Sequence, residues 1–270
     1  MIYAYFNLVL PEIRHATGMK TLTFFNGKGG SGKTTFCMMM ASWLHYHKRA
    51  RVLVCDFDYP EFKMVEQRQR DIELLSDPGS QLSRQLSGVK SSPDLWYEIL
   101  KFKYTAMTDR EIDEFATFLK SMQGVLDYVL FDFGAGFREN GPALGLMRRG
   151  LVGLTVVPVY SDQSVVESAM YTCMISRSFG HKCFVFWNRV VRSEKVTSDG
   201  GPDRLRPLDE LFTSRDISVA KTRIGEMAIF RREGKNWHFI KSTVCWPERN
   251  VSLMCPGIVD LFTEVKSMVD

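Results

Sequence analysis

The chain has 270 residues, 45% of them hydrophobic, and a formal net charge of +4 from 35 basic and 31 acidic residues. That length can bury a substantial core within one α/β domain, while so mild a basic excess does not by itself establish nucleic-acid binding. The six cysteines, at 37, 55, 173, 183, 245 and 255, form no C-x-x-C pair and have no histidine at metal spacing, so they read as reduced, mostly buried thiols of a cytoplasmic protein.

Met1 to Leu10 is apolar but lacks a basic leader, is too short to span a bilayer, and is ended by Pro11. Residues 1–18 therefore read as an N-terminal extension or upstream start, and residues 19–270 as a single domain. The first strand is expected at Thr21–Asn26. Asn26-Gly27-Lys28-Gly29-Gly30-Ser31-Gly32-Lys33-Thr34-Thr35 follows it, and the pattern G-x-x-x-x-G-K-[ST] runs from Gly27 to Thr34. A helix is expected from Thr35 to Tyr46. A strand feeding a glycine loop that opens a helix aims backbone N–H groups and the helix dipole at one point, an anion site suited to nucleotide phosphates. Gly27, Gly29, Gly30 and Gly32 permit positive φ and close approach of the backbone, with Ser31 and Thr35 in the same cradle. Lys33 can reach the β- and γ-phosphates, and the Thr34 hydroxyl can ligate Mg²⁺, which makes ATP and Mg²⁺ the expected ligands.

The second strand, Arg51–Phe57, delivers Asp56 and then Asp58. Residues 60–125 exceed what one crossover needs and read as an insertion. Within it, Pro60–Leu75 is expected as a charged helix, Ser76–Pro93 as a mobile loop, and Asp94–Tyr104 and Asp109–Met122 as two shorter helices. The third strand, Asp127–Phe133, is apolar and carries Asp132 near its end, placed to bind Mg²⁺ through a water. Further strands are expected at Leu151–Val159, Cys183–Asn188 and Ser218–Thr222. The last helix, Ile258–Asp270, carries an apolar stripe and a net acidic opposite face, which suits core packing rather than anionic lipid. The alternation implies an α/β protein: a mostly parallel twisted sheet with helices on both faces and ligands at the carboxyl ends of the strands.

The K-G-G-S-G-K-T string, with Lys28 just after the first glycine, resembles the deviant Walker A motif of the ParA/MinD family of partition and positioning ATPases. The resemblance covers most of residues 20–270 and is weakest over 60–125. It implies a P-loop NTPase fold and a slow ATPase that dimerises on ATP, with Lys28 reaching the partner's nucleotide. Asp56-Phe57-Asp58-Tyr59-Pro60 is similar to the family's D-x-D-P motif, although Tyr59 intervenes before Pro60. By that likeness Asp58 orients the attacking water and Asp56 lies near the Mg²⁺ hydration shell. Phe133-Gly134-Ala135-Gly136 partly resembles the switch II turn, and Val185–Arg189 the strand ending in a base-recognising Asn, here Asn188. The resemblance also implies non-specific DNA binding, for which Arg148, Arg149, Arg189, Arg192, Arg223, Arg231, Arg232 and Lys235 are candidates, and a protein partner that stimulates hydrolysis. Cargo would be a plasmid, chromosomal locus, mobile element or protein cluster. The alternatives left open are a small-molecule ligase of the dethiobiotin-synthetase lineage, a scaffold with almost no turnover, and a membrane-positioning ATPase of MinD type.

Overall fold

A computed structural model describes residues 18–85, 96–191, 203–226, 243 and 255–270. Seven strands form one sheet: β1 (Lys20–Phe24), β2 (Val52–Phe57), β3 (Glu98–Lys101), β4 (Tyr128–Phe133), β5 (Leu154–Val159), β6 (Lys182–Trp187) and β7 (Ser218–Val219). Their order is β3-β2-β4-β1-β5-β6-β7, and every pairing is parallel. Strands β2, β4 and β5 are buried at every position, as their unbroken apolar runs require of a sheet covered on both sides.

The eight helices described are α1 (Lys33–His47), α2 (Lys63–Ser76), α3 (Gln81–Gln85), α4 (Asp109–Ser121), α5 (Pro142–Arg148), α6 (Gln163–Ser178), α7 (Arg206–Thr213) and α8 (Ile258–Val269). The pleat divides the side chains between two faces. Leu22, Phe24, Val52, Val54, Leu130, Val156, Phe184 and Phe186 pack with α1 and α8. On the other face Phe25, Phe57, Phe131 and Phe133 pack with α4 and α5, while Val157, Val185 and Trp187 pack with α6 and α7. Thr23 and Thr155 stand side by side between these two clusters. Their hydroxyls are satisfied, Thr23 donating to the Phe131 carbonyl at 2.8 Å and Thr155 accepting from Ser176 at 3.1 Å.

The apolar stripe of α8 is buried as expected: Ile258, Leu261, Phe262 and Val265 sit in the core, and the Phe262 ring lies 5.8 Å from Trp43. No helix among the described residues is long and apolar enough to cross a membrane. Two expectations for the insertion fail. The helix expected over Asp94–Tyr104 is instead strand β3, in register with β2 from Leu53↔Glu98 to Asp56↔Lys101. Leu100, Phe102 and Tyr104 alternate with Lys101 and Lys103, a period of two that edge pairing rewards. The loop expected over Ser76–Pro93 contains α3, and its residues 86–93 lie outside the described residues. The extension expected over 1–18 lies outside them too, Gly18 apart.

Candidate active site

Two residues beyond β1 stands buried Asn26, whose amide fixes the chain that follows. Its Nδ2 donates to the Pro158 carbonyl at 3.0 Å, and its Oδ1 accepts from Lys28 N at 3.0 Å. The loop turns into α1 at Gly32, with φ +103°, where a Cβ would stand 3.0 Å from both Asn188 Nδ2 and the Phe36 ring. Glycine is required there on both counts. Lys33 is buried, and its Nζ donates to the Lys28 carbonyl at 3.1 Å. Burial lowers the Lys33 pKa, opposed by the charges of Asp132 and Asp58. An ammonium resting on a single loop carbonyl is poised to exchange it for a phosphate.

The next residue makes the metal side of the site. Thr34 Oγ1 donates to Asp132 Oδ1 at 3.1 Å, while Asp132 Oδ2 is buried with no hydrogen-bond partner among the described residues. Ser31 Oγ is buried and unpartnered in the same sense. Burial, and then the charge of Asp56, pushes the Asp132 carboxyl well above the usual carboxylate range. Mg²⁺ demands oxygen ligands and keeps several waters, so it needs one or two protein groups rather than a cage. The Thr34 hydroxyl and the orphaned Asp132 oxygen meet that demand, and no cluster of three His, Cys, Asp or Glu side chains among the described residues competes for a metal.

Asp56 and Asp132 are register partners on adjacent parallel strands and project from the same face. They do not act alike. Asp56 Oδ1 accepts from Asp58 N at 3.0 Å, and its Oδ2 accepts from Met64 N at 3.2 Å and Val65 N at 3.4 Å. Both oxygens are thus spent on turning the chain and anchoring the first turn of α2, and burial raises this carboxyl's pKa against those donors. That anchoring was not legible in the motif. Asp58 lies beyond the strand against switch-like Gly134, where a Cβ would stand 2.7 Å from Asp58 Oδ1. Asp58 Oδ2 accepts from Lys63 Nζ at 3.1 Å, and Lys63 also pairs with Glu61. Lys63 escaped the sequence reading; its only signal was a lysine five residues after Asp58 at the start of a charged helix.

The opposite wall of the cleft comes from the end of β6. Asn188 Nδ2 donates to the Ser31 carbonyl at 2.9 Å, and Asn188 Oδ1 accepts from Arg189 N at 2.9 Å. Arg189 Nη2 donates to the Gly30 carbonyl at 2.6 Å, and its guanidinium lies 5.0 Å from the Tyr160 ring centroid. Between the walls is a cleft of about 330 Å³ lined by Gly29, Gly30, Gly32, Lys33, Thr34, Thr35, Asp58, Lys63, Gly134 and Asn188. Gly27 closes against the other side of the loop, its carbonyl accepting from Gly136 N at 2.8 Å, so the Gly134–Gly136 turn is wired directly to the phosphate loop. Lys28 is exposed.

The basic residues singled out for DNA fare unevenly. Arg223 is held by Asp203 at 2.7 Å and Asp209 at 2.6 Å, Arg149 stands 3.4 Å from Asp109 and 3.3 Å from Asp113, and Arg189 braces the loop. Arg148 is exposed. Arg192, Arg231, Arg232 and Lys235 lie outside the described residues.

The AAA_31 family profile, described as an AAA domain, matches residues 19–71, the segment that holds the phosphate loop and Asp58. No curated protein sequence matches the chain. Solved structures do. The MinC:MinD cell division protein complex of Aquifex aeolicus aligns with a TM-score of 0.59 at 14% identity, covering 92% of this chain and 96% of that one. A putative plasmid partition protein from Borrelia burgdorferi B31 bound to AMPPNP gives 0.57 at 16%, covering 91% and 99%. An ATP complex of McdA from Cyanothece gives 0.54 at 17%, covering 93% and 96%.

Proposed function

We propose that this chain, which carries the fold of the ParA/MinD ATPases, is a Mg²⁺-dependent ATPase that dimerises on ATP and partitions or positions cargo. One observation carries the reading: beneath a K-G-G-S-G-K-T loop, Thr34 is bonded to a buried Asp132 whose second oxygen has no partner among the described residues. A buried carboxylate left half-satisfied is costly, and a hydrated cation would relieve it. Thr34 and Asp132 would hold Mg²⁺, which when bound neutralises phosphate charge.

The chain's own groups divide the remaining work. Lys33 exchanges the Lys28 carbonyl for phosphate oxygens, and the loop N–H groups between Gly29 and Thr35 close around them. Asp58 accepts a hydrogen bond from the attacking water and so orients it. Hydrolysis is positioning plus charge neutralisation, with little covalent work for the protein. The Gly134–Gly136 turn, bonded to Gly27, would carry the state of the terminal phosphate outward. Exposed Lys28 is available to a second subunit, which supports an ATP dimer. DNA is the proposed surface, with cargo-bound protein as the trigger for hydrolysis.

The test combines two readouts on the full chain: mass in solution, and retention of a random-sequence duplex, each with Mg²⁺ plus ATP or Mg²⁺ plus ADP across a salt series. ATP-specific dimerisation that Lys28→Ala removes, with salt-sensitive DNA retention, is the expected result. Dimerisation without DNA retention would leave a protein-scaffold positioning ATPase. A monomer that converts ATP and a small acid or amine to ADP and product would sink the reading in favour of a ligase.

A further inference from the structure

The cleft holds a lysine that no motif accounts for. Lys63 opens α2, and its ammonium is clamped between Asp58 at 3.1 Å and Glu61. It lines the same cleft as Gly29, Lys33 and Thr34. Its charge reaches far enough inward to act on the buried Lys33 ammonium. Its side chain is 51% exposed, against 13% for Asp58, so it can swing while its partner stays in place. Phe62, with φ +44° at the start of α2, sets the turn from which it projects.

Resting on the reading of this cleft as a nucleotide site, we propose that Lys63 is a triphosphate-sensing residue acting within its own subunit: it leaves Asp58 and Glu61 for the terminal phosphate of ATP, and ADP offers it nothing. The competition favours this exchange. Ion pairs at such exposure are weak, whereas a terminal phosphate presents several anionic oxygens to one amine in a less hydrated cleft. Clamp and phosphate compete for one ammonium, and the exposed pair with Glu61 is the one most easily given up. Its departure uncovers Asp58 Oδ2, the oxygen otherwise covered, at the moment ATP arrives. Recognition of the third phosphate and release of the water-orienting carboxylate thereby become one event. Because Asp56 ties the first turn of α2 to β2 through Met64 N and Val65 N, the base of the Lys63 side chain stays fixed while its tip moves.

Calorimetric titration of the full chain with Mg²⁺ plus AMPPNP, and with Mg²⁺ plus ADP, tests this without relying on turnover. Lys63→Met is expected to weaken AMPPNP binding about tenfold and ADP binding less than about twofold. Lys63→Arg should restore most of the difference. Glu61→Gln removes a competitor for the ammonium and should tighten AMPPNP about two- to threefold with ADP unchanged, a sign a merely structural role would not produce. Equal losses for both nucleotides in Lys63→Met, or weaker AMPPNP binding in Glu61→Gln, would overturn the role of Lys63 while leaving the nucleotide site standing. Failure of the unmodified protein to bind either nucleotide would overturn both.

Discussion

The two walls of the cleft are built on different principles. The wall from β2 and β4 is acidic: Asp58 and Asp132 face the buried Lys33, burial raises the carboxyls of Asp56 and Asp132, and one Asp132 oxygen has no partner among the described residues. The wall from β6 contains Asn188 and Arg189, each of which donates to a carbonyl of the loop, at Ser31 and Gly30. One side stores unsatisfied charge. The other is a brace. Native proteins keep buried polar groups paired unless function needs otherwise, so the acidic wall is where chemistry is expected and the β6 wall is where rigidity is expected.

The sharpest way to break this contrast is Lys33→Ala. It removes the buried cation that the acidic wall surrounds, and nucleotide affinity should fall about 100-fold, the worth of a desolvated charge-assisted contact. Equilibrium binding of a fluorescent ATP analogue reads the loss directly. An effect under about threefold would mean that the phosphates do not sit on this loop.

The second test separates function from stability on the same wall. Asp132→Asn keeps an oxygen to accept from Thr34 and discards a charge that burial disfavours. The folded carboxyl has a raised pKa, so folding takes up a proton and the native state loses stability as pH rises from the unfolded value through the folded one. Without Mg²⁺ the variant should therefore be more stable at neutral pH, by about 1–3 kcal/mol, with the gain shrinking as pH falls toward the ordinary carboxylate range. Mg²⁺-dependent ATP hydrolysis should drop steeply in the same variant. Thermal melts at pH 7 and pH 4.5 check the first claim. A destabilised variant at pH 7 would mean the orphaned oxygen is not a liability.

The two walls also differ in how far the sequence betrays them. The phosphate loop, Asp58 and Asp132 were legible because strand–glycine–helix order and strand-end carboxylates are local patterns that survive without tertiary information. The sheet followed from unbroken apolar runs, and its strand bounds moved by three residues at most. The exceptions are informative. Asp94–Tyr104 has no helix breaker and reads as a helix in isolation, and only the pairing of Glu98–Lys101 with β2 makes it a strand. The anchoring role of Asp56 was hidden because its donors, Met64 N and Val65 N, are eight and nine residues away on a different element. Lys63 was hidden for the same reason: a lysine in a charged helix looks solvated until the chain turns it back onto Asp58. For Asn188, a resemblance to a base-reading position gave no hint that its amide is bonded to the Ser31 carbonyl.

That last residue supplies the mildest and most discriminating test of the comparison. Asn188 has one N–H and one lone pair already engaged, with Ser31 O and Arg189 N respectively, so its amide retains one of each for a ligand. If it is purely a brace, Asn188→Ala loosens the loop for any nucleotide. Affinity for ATP and GTP should then fall by the same factor, about fivefold for one hydrogen bond worth about 1 kcal/mol. If it also reads the adenine edge, ATP should lose more than GTP, because only the ATP complex forfeits a base contact. The engagement of both ends of the amide leads us to expect equal losses. Competition binding with the two nucleotides measures the ratio directly, and a ratio that moves toward GTP would mean that the β6 wall carries part of the specificity of this site.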